Sequence, residues 1–73
     1  MAMTPGQFDV LARLTRAREP ARSAAKRVLV DGVSQADAAR EYGMTPSALG
    51  NAVRRYRDFD ALVRQAYKAR KST

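Results

Sequence analysis

Hydrophobic residues recur along this chain at intervals of three and four, which is the spacing of one face of an α-helix. No segment alternates apolar and polar residues in the way that a half-buried strand would. The spacing therefore predicts an all-α protein of about five short helices, with residues 1–73 forming a single domain. The clearest stripe consists of Ala21, Ala24, Ala25, Val28 and Leu29.

Capping residues and prolines mark where the predicted helices begin. Thr4 and Thr45 are each followed by proline, which combines an N-cap side chain with the residue best suited to the first helical position. Pro20 can begin a second helix, and Ser34 can cap a third. Four helix starts are thus predicted upstream of a C-terminal helix at about residues 59–70.

Residues 34–57 predict a helix-turn-helix at the centre of the chain. Two short helices meet at Gly43, where a tight turn favours a residue that accepts positive φ. Ala39 supplies the small side chain that a close helix crossing requires. An ordinary helical hairpin with a glycine cap is the alternative. The positions expected to face inward are all apolar or aromatic: Ala38, Tyr42, Met44, Leu49 and Ala52.

Charge favours a polyanionic partner over plain solubility. The chain has 14 Lys+Arg against 7 Asp+Glu, a net charge of +7, and eleven of the cations are arginine. By segment, residues 1–30 carry +4, residues 31–43 carry −2 and residues 44–73 carry +5. Arginine suits phosphate and guanine edges, so the pattern indicates nucleic acid.

A helix-turn-helix places its second helix in the major groove of DNA. We therefore expect the recognition helix, residues 46–57, to present its outward side chains to base edges, while neighbouring groups hold phosphate. Asn51 is the most informative, because a carboxamide can pair with adenine. The predicted base contacts are Ser47, Asn51, Arg54 and Arg55, and the predicted phosphate contacts are Gln35, Thr45 and Arg57.

Several functional classes are excluded by composition. The chain has no cysteine and no histidine, which removes disulfides, the usual zinc ligands and the commonest general base. Its carboxylates are scattered and it lacks a phosphate-binding glycine loop, so an enzyme is not expected. We expect no cofactor, metal or small-molecule ligand. No apolar run approaches the roughly 18 residues of a membrane span, and a cytoplasmic, nucleoid- or plasmid-associated protein is expected.

The C-terminal helix has more apolar side chains than a solvated tail requires. We expect Phe59 and Leu62 to face inward, and Val63, Ala66 and Tyr67 to lie at a two-fold dimer interface. At Arg57-Asp58 the chain could either bend or continue the preceding helix.

The sequence resembles the KorA/TrfB helix-turn-helix family of plasmid transcriptional repressors over about residues 4–57. The segments that carry the resemblance are Thr4-Pro5-Gly6-Gln7-Phe8, Val28-Leu29-Val30-Asp31-Gly32, Gln35-Ala36, Ala39, Gly43-Met44-Thr45, Ala48-Leu49 and Ala52-Val53-Arg54. The resemblance implies an all-α bacterial repressor that binds palindromic operators as a homodimer. In the family a glutamine of the recognition helix contacts bases where Asn51 stands here, and Pro46 replaces a base-contacting arginine.

Sequence-specific binding to double-stranded DNA is therefore the function that the sequence favours. The alternative is a non-specific nucleic-acid-binding protein, or a small adaptor that contacts the transcription machinery.

Overall fold

The computed structural model describes residues 3–71, with side chains from residue 3 to residue 68. Within this range there are four helices and no strand, which confirms the all-α prediction. In chain order they are α1 (Pro5–Leu14), α2 (Ala21–Leu29), α3 (Gln35–Glu41) and α4 (Pro46–Lys71).

The fourth and fifth predicted helices are a single helix. α4 runs for 26 residues without a break at Arg57-Asp58. Neither glycine nor proline occurs after Gly50, so nothing in the local sequence stops the helix. At about 1.5 Å per residue, α4 is about 39 Å long. It sets the longest dimension of the molecule, which measures 46 × 22 × 19 Å.

The predicted caps are present at the helix starts. The Thr4 hydroxyl accepts a hydrogen bond from the Gln7 amide at 3.2 Å, and the Gln7 side chain accepts from the Thr4 amide at 3.0 Å. This capping box satisfies two backbone donors that α1 itself cannot pair. The Met3 amide donates to the Leu29 carbonyl at 2.8 Å, which fastens the start of α1 to the end of α2.

The core lies where α1, α2 and α3 pack against the N-terminal half of α4. Its largest fully buried side chains are Phe8, Leu49 and Val53. The rings of Phe8 and Tyr56 lie 4.9 Å apart between centroids, so an aromatic pair joins α1 to α4. The buried residues are Phe8, Leu11, Ala12, Ala24, Ala25, Leu29, Ala38, Ala39, Leu49, Val53 and Tyr56.

An ion-pair group fixes α3 against α2. The Arg27 guanidinium donates to Glu41 at 2.9 and 3.1 Å and to Asp31 at 3.1 Å. Hydrogen bonding from Arg27 lowers the pKa of Glu41, while the two carboxylates raise the pKa of Arg27. The three side chains are partly exposed, so the group orients α3 more than it stabilises the fold.

We predicted that Phe59 and Leu62 face the core, and this is right for Phe59 and wrong for Leu62. Phe59 is half-buried and packs against the core, but Leu62 is 59% exposed. Leu62 follows the buried Val53 by nine residues, about two and a half helical turns, and so lies on the opposite side of α4. Among the described helices, none reaches that side at this level.

Candidate nucleic-acid interface

A tight turn joins α3 to α4, as the sequence predicted. Gly43 has a φ of +67°, a conformation that L side chains rarely adopt. The Met44 amide donates to the Ala39 carbonyl at 2.8 Å and closes the turn. Ala39 is buried at the crossing of the two helices, so its small side chain lets them approach closely. The pair therefore has the geometry that a helix-turn-helix requires.

Both helices of the pair begin with a hydroxyl cap. The Ser34 hydroxyl accepts from the Asp37 amide at 3.2 Å, and the Thr45 hydroxyl accepts from the Ala48 amide at 3.2 Å. Asp37 also places a negative charge in the first turn of α3, near the positive end of the helix dipole. These caps fix where α3 and α4 begin and hence which side chains of each face outward.

The inward positions of the pair follow the sequence prediction with one exception. Ala38 and Leu49 are fully buried, Met44 packs against the core, and Ala52 is half-buried. Tyr42 was expected to face inward, and its placement is a correction: it is 37% exposed. The reason is that α3 ends at Glu41, so Tyr42 is the C-cap and leaves the helical register.

The outward face of α4 forms one wall of an open concave surface, and the start of α3 forms the other. Three of the four predicted base-contacting residues line it, as do two of the predicted phosphate-contacting residues. The lining residues are Gln35, Pro46, Ser47, Gly50, Asn51, Val53, Arg54, Arg57 and Asp58. We call this the α3–α4 groove.

Arg55 and Thr45 do not line the α3–α4 groove. Arg55 lies on a neighbouring side of α4, where it lines a second concave surface with Arg16 and Arg18 from the connection between α1 and α2. Thr45 is exposed at the first turn of α4, where it serves as the cap. The predicted contact residues thus divide into a groove set and a flanking set.

The two arginines of the groove belong to the larger group of described arginines that make no ion pair with a carboxylate. Arg27, Arg40 and Arg64 each pair with a carboxylate within 4 Å. Among residues 3–68, Arg54 and Arg57 make no such pair, although Asp58 lies at one end of the groove. Their positive charges are therefore available to an anionic partner.

A comparison with known families agrees with this geometry. The model of a family described as TrfB plasmid transcriptional repressor, KORA, matches residues 3–71. The chain belongs to this family. No curated protein and no solved structure gives a match.

The TrfB family match extends well beyond the resemblance that the sequence motifs carry. It includes residues 58–71 and therefore all of α4, not only its N-terminal half. Among the described helices, none is both long and apolar enough to cross a membrane.

Sequence reasoning missed one feature of the groove in this TrfB-family chain. An ideal Cβ built on Gly50 would lie 3.2 Å from Oε1 of Gln35. The side chain of Gln35 thus lies over α4 at the one outward position that has no side chain. A glycine in the middle of a helix, which costs about 1 kcal/mol relative to alanine, was the signal that could have pointed to it.

Proposed function

We propose that this chain is a plasmid transcriptional repressor that binds double-stranded operator DNA sequence-specifically, with the N-terminal half of α4 in the major groove. The observation that carries the proposal is the α3–α4 groove, where polar side chains and unpaired arginines face outward from a rigidly packed helix pair. The family of plasmid repressors to which the chain belongs supports the same function.

The groove set suits base edges. Ser47, Asn51 and Arg54 lie at intervals of four and three residues, so they share one face of α4. The Asn51 carboxamide can make paired hydrogen bonds to adenine, and the Arg54 guanidinium can make them to guanine. None of these three side chains is buried or engaged in a hydrogen bond among residues 3–68, so their polar groups are free to contact DNA.

The flanking set, Thr45 and Arg55, suits phosphates, and so does Arg57 of the groove set. Thr45 stands at the N-terminus of α4, where unpaired backbone amides and the helix dipole favour an anion. Arg57 lies at the far end of the groove, two turns further along α4 than Gly50. Arg55 was expected at bases, but its position beside Arg16 and Arg18 suits the DNA backbone at the groove edge better.

A binding selection tests the proposal. Wild-type protein is used to select duplexes from a random 30-base-pair library, and the selected duplex is then used in gel-shift titrations. We expect a palindromic consensus, and we expect Asn51→Ala and Arg54→Ala each to weaken binding by about 5- to 100-fold, the equivalent of roughly 1–3 kcal/mol. Arg13→Ala removes one positive charge from α1 and is the matched control for Arg54→Ala.

Equal affinity for selected and unrelated duplexes would instead establish a non-specific nucleic-acid-binding protein. Absence of any DNA binding would leave an adaptor as the remaining function. The salt dependence separates the contact types further, since each lost phosphate contact reduces the slope of log K against log salt by about 0.9. Thr45 and Arg57 variants should change this slope, with little change in the consensus.

We also propose that the repressor is a homodimer joined through the C-terminal half of α4. The buried stripe Leu49, Val53 and Tyr56 continues at the same spacing as Asp60, Val63 and Tyr67. Val63 is 44% exposed and Tyr67 is 63% exposed, and both line a mostly apolar concave surface beside Val10 of α1. Ala66, the third predicted interface residue, is exposed on an adjacent side.

Charge favours a second copy of the chain as the occupant of this surface. Asp58 lies at the beginning of the exposed half of α4, and Lys68 lies towards its end. Antiparallel pairing around Val63 therefore sets Asp58 of each copy opposite Lys68 of the other. At about 1.5 Å per residue, the two Asn51 residues are then about 36 Å apart along the helix axes, within the 34–36 Å between successive half-sites.

Sedimentation equilibrium, with and without the selected duplex, tests the dimer. We expect a mass of two chains for the wild type and of one chain for Val63→Asp. Leu14→Asp adds the same charge at a side chain that is similarly exposed on α1 but does not line the surface, and it should remain dimeric. A wild type that is monomeric both free and on DNA would contradict the dimer while leaving DNA binding intact.

A further inference from the structure

Gly50 destabilises the helix in which it lies. It lies in the second turn of α4, where alanine would favour the helix by about 1 kcal/mol. Its φ is not positive, unlike that of Gly32 or Gly43, so no backbone conformation requires a glycine there. The space around Gly50 is the other place where a glycine can differ in effect from alanine.

That space is occupied by one side chain from α3. Apart from the neighbouring residues and the backbone of α4 itself, the atom that a Cβ built on Gly50 would meet is Oε1 of Gln35, at 3.2 Å. This separation is shorter than an ordinary van der Waals contact, so a real Cβ would push the end of the Gln35 side chain aside by a few tenths of an ångström. The absence of a side chain at Gly50 lets Gln35 keep its present position without that shift.

The carboxamide of Gln35 consequently occupies a position on the contact face of α4. Ser47, Gly50, Asn51 and Arg54 recur at helical spacing and line the same groove as Gln35. Gln35 is half-buried, and its carboxamide makes no hydrogen bond with any side chain or backbone group in residues 3–68. A carboxamide with unused donors and acceptors is the group that can pair with adenine in a major groove.

We propose that Gln35 is a base-contacting, specificity-determining residue, and that Gly50 is the positioning residue that holds its carboxamide among the side chains of α4. Gln35 thereby substitutes for the side chain that α4 lacks at position 50. The inference rests on the proposed operator binding and assigns to Gln35 a base edge in place of the phosphate expected from the sequence.

The first test repeats the binding selection with Gln35→Ala. We expect the selected consensus to lose its preference at one position in each half-site, while the remaining positions are unchanged. On the wild-type consensus, Gln35→Ala should bind about 5- to 100-fold more weakly, with little change on an unrelated duplex. If the variant selects the wild-type consensus and weakens binding equally on all duplexes, Gln35 contacts phosphate and the inference is wrong.

The second test separates Gly50 from Gln35. Gly50→Ala should raise the melting temperature, because the helix gains propensity, and yet weaken binding to the selected duplex. Gly6→Ala is the matched control: it adds the same methyl group to a helical glycine in α1 that has nothing within 4 Å, and it should leave DNA binding unchanged.

The double variant Gln35→Ala with Gly50→Ala completes a mutant cycle. We expect it to bind within about twofold of Gln35→Ala alone, since the new methyl group then has no carboxamide to displace. A further loss would mean that the alanine contacts DNA directly, which would overturn the positioning role. A wild type that selects no consensus would contradict the proposed function itself, and so the two failures can be told apart.

Discussion

The two halves of α4 have the same apolar spacing and different surroundings. In the N-terminal half the stripe of Leu49, Val53 and Tyr56 is buried under α1, α2 and α3. In the C-terminal half the same stripe continues as Val63 and Tyr67, and both are exposed. The comparison shows that apolar spacing identifies the apolar face of a helix, but not how far along the helix that face is buried.

The charges of the two halves differ in a related way. Arg54 and Arg57, in or next to the N-terminal half, make no ion pair within residues 3–68. In the C-terminal half, Arg64 pairs with Asp60 at 3.1 Å, one helical turn away. Local pairing lowers the net field of the C-terminal half, so the attraction for a polyanion is concentrated where the proposed DNA contacts lie.

The largest expected effect on stability comes from removing the Phe8 side chain, which joins α1 to the buried N-terminal half of α4. Phe8 is fully buried and stacks against Tyr56. Phe8→Ala should lower the free energy of unfolding by about 3–5 kcal/mol, which is enough to unfold a domain of this size. Urea denaturation followed by circular dichroism measures it. Leu14→Ala, at an exposed position of the same helix away from the proposed dimer surface, is the control, and equal losses for the two would contradict the described packing of α1.

A matched pair of valines compares the two halves directly. Val53 is 1% exposed and Val63 is 44% exposed, on one stripe of one helix. Val53→Ala should lower the free energy of unfolding by about 2 kcal/mol or more, because it removes two buried methyl groups and leaves a cavity. Val63→Ala should lower the free energy of unfolding by less. If a second copy of the chain covers Val63, this loss should increase with protein concentration. Thermal unfolding at several concentrations measures both, and equal costs that do not depend on concentration would refute the contrast.

The N-terminal cap of α4 should contribute less to folding stability than the buried apolar side chains of the same helix. Thr45→Ala removes the hydroxyl that accepts from the Ala48 amide and should cost about 1 kcal/mol. Thr45→Ser retains the acceptor and should remain within a few tenths of a kcal/mol of the wild type. Because the cap belongs to the buried half, the loss should be the same whether or not the protein is dimeric. A loss that varied with concentration would show that the two halves of α4 are coupled.

The smallest expected effect concerns the ion pair between α2 and α3. Hydrogen bonding from Arg27 lowers the pKa of Glu41 in the folded state. The ion pair therefore contributes fully to folding stability above the pKa of Glu41 in the unfolded chain, about 4.3. This contribution is lost as the pH falls through the lower pKa of Glu41 in the folded state. Glu41→Gln should therefore lose less stability than the wild type between pH 6 and pH 3. Asp9→Asn, at an exposed carboxylate on α1, is the control, and parallel pH profiles for wild type and Glu41→Gln would contradict the effect.

Local signals in the sequence were sufficient to predict the capped helix starts and the turn between α3 and α4. Thr4, Ser34 and Thr45 cap helices as expected, because capping depends on residues within one turn of each other. Gly43 takes the positive φ that its turn needs. The misplacements, Tyr42 and Leu62, lie at a helix end and beyond the packed body. At both sites the orientation depends on where a helix stops or on what lies across from it.

The contact residues divide in the same manner. The spacing along one helix was enough to group Ser47, Asn51 and Arg54, since helical periodicity alone sets which residues share a face. The position of Gln35 over Gly50 joins residues fifteen apart in sequence on different helices. It depends on the crossing of α3 over α4, which no local pattern specifies.

The sequence by itself determined the all-α class, the helix starts, the Gly43 turn and the outward face of α4, because each of these depends on residues within a few positions of one another. Only the tertiary structure decided that α1–α3 cover just the first half of α4. It also decided that Arg55 leaves the groove and that Gln35 enters it. The physical reason is that burial and helix crossing depend on contacts between distant segments, and helical spacing carries no information about how far a partner helix extends.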